Sequence, residues 1–192
     1  MKPISLAIML SSAVFVAAWT PKALADVQYQ IDLTQPEHHI AKVAVTFPKT
    51  DAKTLTINMP VWRTGRYEVL PIADGVRLFT ATDSQGNQLD WQRTASGEWQ
   101  VSLLKPSSIT INYQVYANQL GDRLRHIDRT HAYLDASGIF MYSPTFRHDE
   151  VKVNLSVPKA WKSYSGMKPG LQAHSFMADN YDVLVDSPIE TG

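Results

Sequence analysis

Apolar and polar residues alternate through most of residues 26–192. The alternation is clearest in six stretches, residues 27–33, 43–47, 55–59, 99–103, 109–117 and 151–157. Successive side chains of a strand point to opposite faces of a sheet, so this period of two predicts half-buried antiparallel strands. We therefore predict an all-β fold, an antiparallel β-sandwich, with little helix apart from the N-terminal segment.

Turn residues support this prediction. Residues 83–87 and 95–97 are rich in Gly, Asn, Asp and Ser, and they separate apolar stretches within residues 76–103. We predict a three-stranded meander there. Residues 131–142 are predicted to form a bent hairpin around residues 135–138, whereas residues 61–75 and 118–129 lack alternation and are expected to be irregular connections.

The first 25 residues have the composition of a secretory signal peptide. Lys2 precedes an apolar run that ends near Trp19, and Ala-Leu-Ala follows at residues 23–25. A basic start, a hydrophobic middle and small residues before the cleavage point are typical of such peptides. We predict cleavage before Asp26, a periplasmic or secreted protein, and no membrane attachment after cleavage. An uncleaved anchor is the alternative.

Charge and cysteine content exclude some classes of function. The chain has 18 Lys and Arg against 18 Asp and Glu, with no basic block, which argues against a nucleic-acid partner. It has no cysteine, so neither disulfides nor thiolate chemistry contribute. Residues 26–192 are long enough for one domain with its own core, and we expect no second independent domain.

No complete set of catalytic residues is visible in the sequence. The chain lacks the His-Glu-x-x-His motif of zinc peptidases, the Gly-x-Ser-x-Gly motif of serine hydrolases and a glycine-rich phosphate loop. His126, Asp128 and His131 lie close together in sequence and could collect a metal, but solvated loop residues are the expected interpretation. We predict no catalytic residue, no metal ligand and no cofactor in this chain, which is not expected to be an enzyme on its own.

Aromatic and arginine side chains are the remaining candidates for a binding surface. Such residues are common at the centres of protein interfaces, and exposed aromatic rings also suit peptides or glycans. The alternative is that they pack in the core at the ends of the sandwich. The candidate residues are Trp62, Arg63, Arg66, Tyr67 and Tyr133.

The last fourteen residues, DNYDVLVDSPIETG, supply two more candidates, Tyr181 and Asp186. We expect residues 181–185 to form a strand, because they contain Val-Leu-Val. Ser187 precedes proline, which disfavours helix at that residue and suggests a boundary. We therefore assign residues 1–25 to the signal peptide, 26–186 to the β domain and 187–192 to the start of a linker.

Four segments, in order, resemble one family. Residues 59–67, with Met-Pro-Val-Trp-x-x-Gly-x-Tyr, resemble the Leu-Pro-x-Trp-x-Pro-Gly-x-Tyr signature of the glycyl aminopeptidase-like metallopeptidases, peptidase family sixty-one, whose members contain a PDZ domain. Residues 128–142 are similar to its Arg-Ala-Tyr-Leu-Asn…Leu-Phe-x-Tyr segment, and residues 155–161 to its strand-Pro-x-x-Trp. The C-terminal segment resembles Asp-Tyr-Asp-x-Leu-Val-Asp-Ser-Pro-Ile-Glu-x-Gly.

The resemblance implies the N-terminal β domain of such an enzyme, similar to the N-terminal domains of aminopeptidases. In full-length relatives a thermolysin-like zinc domain and a PDZ domain follow. Zinc is thus expected only in a catalytic domain absent from this chain, and the partner would be that domain or a separate chain of a split enzyme, with peptides as possible ligands. Thr64 and Arg66 depart from the proline and serine of the family signature, so that loop should be less rigid and more cationic.

Two hypotheses of different classes follow. In the first, the chain is the non-catalytic N-terminal domain of an exported zinc aminopeptidase-like metallopeptidase, truncated before the catalytic domain and helping to shape the substrate entrance. In the second, it is a free-standing exported module that binds a peptide or a glycan.

Overall fold

The structure is a computed structural model that describes residues 26–62, 68–119 and 125–192. The predicted signal peptide lies outside these residues. Fourteen strands are found in the described part of the chain. They are β1 (Val27–Asp32), β2 (Ile40–Thr50), β3 (Thr54–Asn58), β4 (Val76–Asp83), β5 (Trp91–Ala95), β6 (Glu98–Ser102), β7 (Ser107–Tyr116), β8 (His126–Ile127), β9 (Ala132–Leu134), β10 (Val151–Ser156), β11 (Ser163–Ser165), β12 (Lys168–Pro169), β13 (Ser175–Ala178) and β14 (Ile189–Thr191).

Helical segments within the described residues are short. They are α1 (Ala136–Ile139), α2 (Tyr181–Val185) and the 3-10 turns Pro36–His38, Ile72–Gly75 and Pro144–Phe146. None of them has the length and hydropathy that a membrane-spanning helix requires. The prediction of an all-β, largely antiparallel fold is therefore confirmed.

The largest sheet has seven strands in the order β12-β13-β10-β1-β2-β7-β4. Its pairs are antiparallel except for β1 and β10, which run parallel. Val27, Tyr29 and Ile31 of β1 are buried and alternate with more exposed neighbours, as the sequence predicts. One face of the sheet therefore covers the core.

Two smaller sheets complete the fold. One has the order β3-β6-β5 and the other β11-β14-β9-β8. Leu55 and Ile57 of β3 are fully buried, and so is Leu134 of β9. Side chains of all three sheets belong to one hydrophobic cluster, so a single core holds the domain together.

The predicted meander of residues 76–103 is correct for β5 and β6 and wrong for β4. β4 pairs with β7 in the large sheet, whereas β5 and β6 pair with each other and continue to β3. Only a short contact joins β4 to the next stretch, through the bridge between Thr82 and Gln88. Both turns were identified correctly. Residues 95–97 join the neighbouring strands β5 and β6, whereas residues 83–87 lead from the large sheet to the sheet of β3, β5 and β6.

The predicted hairpin of residues 131–142 is also wrong. β9 pairs with β8 and β14, and the chain then forms the helical turn α1, in which the Phe140 N–H donates to the Ala136 carbonyl over 3.0 Å. All four residues of α1 are buried. Turn-forming residues at 135–138 are compatible with either structure, and the surrounding core selects the helical turn.

The C-terminal segment differs from the prediction in two ways. Residues 181–185, expected to be a strand, form α2, because the Asn180 side chain accepts from the Val183 N–H at 3.0 Å and caps the helix start. Tyr181 and Leu184 are buried three residues apart, the spacing of one helix face. We expected residues 187–192 to begin a linker; instead Ile189–Thr191 forms β14, paired with β9 and β11.

Candidate functional site

The candidate site is an open cleft of about 450 Å³ at the end of β3. One side is formed by Asn58 at the end of β3, by residues 59–62 that follow it, and by the turn between β5 and β6. The other side is formed by Tyr142, Arg147 and α2. We call it the Trp62 cleft, because the Trp62 ring at its rim is 54% exposed.

Backbone pairing brings the two sides of the Trp62 cleft together. Asn58 and Tyr142 exchange two backbone hydrogen bonds, at 2.7 and 2.8 Å, although they lie far apart in sequence. Gly97 has a φ of 81° and no side chain. A Cβ at this position would lie 2.5 Å from a methyl group of Val61 and 2.7 Å from the Met59 carbonyl oxygen. The β5–β6 turn can therefore lie against residues 59–61 only with glycine at position 97.

Stacked aromatic rings form the other side. The rings of Tyr142 and Tyr181 lie 4.4 Å apart and are nearly parallel, at 24°. The Arg147 guanidinium lies over the Tyr142 ring, 5.5 Å from its centre, and donates to Asp182 Oδ1 from Nε at 3.0 Å and from Nη2 at 2.6 Å. These hydrogen bonds from Arg147 to Asp182 raise the pKa of the guanidinium further, so it stays charged.

Three buried tyrosine hydroxyls fix the backbone that supports this wall. Tyr113 donates to the Ile139 carbonyl at 2.7 Å, Tyr181 to that of Phe140 at 2.9 Å and Tyr29 to that of Met141 at 2.6 Å. Burial raises the pKa of each hydroxyl, so each stays protonated and donates. We call these residues the tyrosine clamp; it holds residues 139–141 in place directly before Tyr142.

The Trp62 cleft has the chemistry of a binding surface. Its described lining is mainly apolar and aromatic, with Glu98 and Arg147 as the charged side chains. Glu98 accepts from the Thr94 hydroxyl at 2.6 Å, and Arg147 is paired with Asp182, so both charges are partly compensated. Asn58 Oδ1 is a buried acceptor with no partner among the described residues. Such a cleft can hold an apolar side chain or pack against another domain, and its described lining contains no histidine or cysteine.

Two of the predicted site residues line the Trp62 cleft. Trp62 does so with an exposed ring, whereas Tyr181 is only 3% exposed and belongs to the wall. Asp186 is exposed directly after α2, next to Val185, which lines the cleft. Tyr133 lies on β9, opposite His126 and Glu190, and does not line the cleft. Arg63, Arg66 and Tyr67 lie outside the described residues.

Tyr142 and Arg147 are among the cleft residues that were not predicted as site residues. Residues 140, 142 and 146 are aromatic, but Phe140 and Phe146 are buried while Tyr142 faces the cleft. No pattern in the sequence connects residues 142–147 with residues 58–62. The tertiary structure connects them, for example through the pairing of Asn58 with Tyr142.

The structure also brings His126, Asp128 and His131 together. One ligand atom from each lies within 4.8 Å of the others. Hydrogen bonds to Asp128 from the Thr130 hydroxyl, from the His126 ring and from the backbone N–H groups of Thr130 and His131 lower the pKa of the carboxyl well below its usual range. The carboxylate is therefore charged at neutral pH.

The structure is that of a β-rich domain with an open, mainly apolar cleft. The profile of the peptidase M61 N-terminal domain matches residues 28–192. The chain therefore belongs to the peptidase M61 N-terminal domain family, as the four sequence segments predict. No curated protein matches the sequence.

Solved structures show the same fold. An aminopeptidase N family protein from Idiomarina loihiensis superposes with a TM-score of 0.77 at 24% identity, over 86% of this chain and 29% of that protein. The M1 zinc metallopeptidase from Deinococcus radiodurans, in a form bound to a Tyr-Ser-Ala substrate, gives 0.56 at 11% identity, over 88% of this chain and 42% of that one. This chain thus spans less than half the length of either relative.

Proposed function

We propose that this chain is the non-catalytic N-terminal domain of an exported zinc aminopeptidase-like metallopeptidase, and that it packs against a catalytic domain outside these 192 residues and shapes its substrate entrance. The observation that supports the proposal most is the family match across residues 28–192 together with the half-exposed Trp62 on the cleft. A large aromatic ring exposed beside an apolar cleft is typical of a surface that contacts a partner or a ligand.

In this proposal, the residues of the chain decide which role the N-terminal domain has and which role the catalytic domain has. The catalytic zinc and its His-Glu-x-x-His ligands belong to the catalytic domain, since this sequence lacks that motif. In this proposal Trp62, Tyr142 and Val185 contribute contact surface and shape to the entrance. Arg63, Arg66 and Tyr67, which follow Trp62 in the sequence, lie outside the described residues. The N-terminal segment of residues 1–25 directs the protein to the periplasm or to the exterior.

The DNA that follows codon 192 provides the first test. A His-Glu-x-x-His motif encoded there, in the same frame or in an adjacent one, is expected if the proposal is correct. The chain alone, with added zinc, should not hydrolyse aminoacyl p-nitroanilides. Sustained hydrolysis by the purified chain would contradict its assignment as non-catalytic.

Kinetics of the longer protein test the role of the cleft. Trp62→Ala should raise KM several-fold for peptide substrates with little change in kcat, because it removes contact surface and leaves the reacting groups in place. Trp91→Ala is the matched control, since Trp91 is 43% exposed on β5 and does not line the cleft. If the Trp62 variant and the natural protein have the same KM and kcat, Trp62 does not contribute to the substrate entrance.

A free-standing module that binds peptides or glycans is the second candidate. The exposed ring of Trp62 favours it, because a tryptophan face suits both kinds of ligand. Titration of the chain with peptide and oligosaccharide panels, followed by tryptophan fluorescence, should then show saturable binding that Trp62→Ala weakens. Absence of saturable binding with both panels would leave the domain role as the better account.

A further inference from the structure

We propose that His126, Asp128 and His131 form a binding site for a divalent transition-metal ion. The three residues occupy the hairpin between β8 and β9. His126 belongs to β8, and Asp128 and His131 close the turn, where the Asp128 N–H donates to the His131 carbonyl at 2.9 Å. We call them the hairpin triad.

The spacing of the hairpin triad suits tetrahedral coordination. Ligand atoms about 2.0–2.1 Å from a zinc ion lie roughly 3.3 Å from one another. His126 Nε2 lies 3.0 Å from Asp128 Oδ2, and His131 Nδ1 lies 3.6 Å from Asp128 Oδ1. The three ligand atoms lie within 4.8 Å of one another, so the imidazole of His131 must shift toward Asp128 when an ion binds. Coordination through Nδ1 of His131 would replace the 2.9 Å hydrogen bond that this nitrogen shares with the Thr130 hydroxyl.

The carboxylate is already held in position. Asp128 Oδ1 accepts from the Thr130 N–H at 2.7 Å, the Thr130 hydroxyl at 2.7 Å and the His131 N–H at 3.1 Å. Its other oxygen, Oδ2, accepts only from His126 Nε2 in the described part of the chain. Hydrogen bonds of this kind orient a metal-binding carboxylate in advance, and Oδ2 is the oxygen that would face the ion.

The turn does not require the two imidazoles. Asp128 and backbone N–H groups are sufficient to close it, as in many turns that begin with Asp. The side chain of His126 is nevertheless only 9% exposed, against 33% for Asp128 and 35% for His131. Its Nε2 is hydrogen-bonded to Asp128, whereas its buried Nδ1 has no partner among the described residues, which is costly for a side chain that only fills space. The more exposed side of the triad leaves room for water as a further ligand.

The donor set points to zinc, copper or nickel. Two imidazoles and one carboxylate suit these ions, whereas magnesium and calcium prefer sites made entirely of oxygen. When an ion binds at Nε2 of His126, the ring proton is carried by Nδ1. That nitrogen is buried and has no acceptor among the described residues. Loss of such a supporting hydrogen bond weakens metal sites about 10–100-fold, so we expect moderate affinity.

Zinc titration of the purified chain, without a histidine tag, is the direct test. Isothermal titration calorimetry and equilibrium dialysis with Zn²⁺ should give one ion per chain, not displaced by millimolar Mg²⁺. His131→Ala and Asp128→Asn should each weaken binding at least tenfold. His148→Ala is the matched control, because His148 is exposed and lies outside the triad, and its affinity should be unchanged.

A second measurement reports on the fold. Zn²⁺ at 100 times its Kd should raise the Tm of the natural chain by about 5–10 °C and leave that of His131→Ala unchanged. The imidazole NMR signals of His126 and His131 should shift on addition of zinc. Absence of binding at 100 µM Zn²⁺, binding that persists in His131→Ala, or equal loss in His148→Ala would overturn the proposal.

Discussion

Individual hydroxyl groups decide how the wall of the Trp62 cleft is held. The tyrosine clamp satisfies the carbonyls of residues 139–141, which run from the last residue of α1 to the residue before Tyr142 and are buried. A buried carbonyl without a donor costs more than an average hydrogen bond contributes, because its solvation is lost without replacement. The clamp therefore matters for stability more than three hydroxyl groups at the surface would.

Removal of one clamp hydroxyl should destabilise the domain measurably. Tyr29→Phe leaves the Met141 carbonyl without its 2.6 Å donor and should lower the free energy of unfolding by about 1–3 kcal/mol. Tyr164→Phe, at a residue that is 64% exposed, should change it by less than about 0.5 kcal/mol. Urea unfolding of the three proteins measures the difference; equal stabilities would mean that the Met141 carbonyl finds another donor.

Asp83 should make stability depend on pH. Hydrogen bonds from the Asn87 side chain, and from the backbone N–H groups of Asn87 and Gln85, lower the pKa of the carboxyl from its usual 3.8, against the opposing effect of burial. A lowered pKa in the folded state stabilises the fold above the unfolded pKa of about 3.9, and this contribution is lost as pH falls below it. Asp83→Asn should therefore be less stable than the natural chain at pH 7 and about equally stable near pH 2. Unfolding curves at both pH values check this, and a constant difference would exclude titration of Asp83 as the cause.

At the scale of the element, short helical segments hold the site together. α2 places Tyr181 against Tyr142 and brings Val185 to the cleft, although its Val-Leu-Val sequence favours a strand. The Asn180 cap at its start and the Ser187 hydroxyl, which donates to the Val183 carbonyl at 2.8 Å, satisfy its backbone ends. Helix ends without such partners are unfavourable in so short a segment.

Loss of the cap should loosen α2. Asn180→Ala removes the acceptor of the Val183 N–H and should reduce stability by about 1 kcal/mol. Asn112→Ala, at an exposed position of β7, is the matched control and should have little effect. Thermal unfolding reports the stability, and faster hydrogen exchange at residues 183–185 in the Asn180 variant would show that the loss is local.

At the scale of the whole molecule, a single hydrophobic core stabilises the domain, and the ring of Trp62 at the cleft lies outside that core. Trp99 is 3% exposed and stacks on Phe79, with ring centres 5.4 Å apart, whereas Trp62 is 54% exposed at the cleft. The same type of residue thus stabilises the fold at one position and is available for contact at another. The family match over residues 28–192 agrees with a domain that folds around this single core.

Substitution of Trp99 and of Trp62 by alanine should change the stability of the domain by different amounts. Trp99→Ala should cost about 3–5 kcal/mol, because it removes a buried ring and leaves a cavity. Trp62→Ala should leave the Tm and the cooperativity of unfolding nearly unchanged. Calorimetry of both variants measures this; unfolding of the Trp62 variant would place that ring in the core and weaken its proposed role at the entrance.

The sequence alone determined the class of fold and the family. Alternation in β1, β2, β7 and β10 is a local property, because each side chain points to the core or away from it according to its place in its own strand. The motif segments are local as well, and they identified the family before any contact was known. Trp62 and Tyr181 were also selected from their local sequence.

Only the tertiary structure decided which segments meet. The pairing of β4 with β7, the helical form of residues 181–185 and the contact of Asn58 with Tyr142 depend on residues that lie far apart in the chain. Local propensities differ by about 1 kcal/mol or less per residue, so burial in a shared core overrides them. The positions of the long strands, such as β1, β2, β7 and β10, could therefore be predicted from the sequence, whereas the Trp62 cleft, which forms between distant segments, could not.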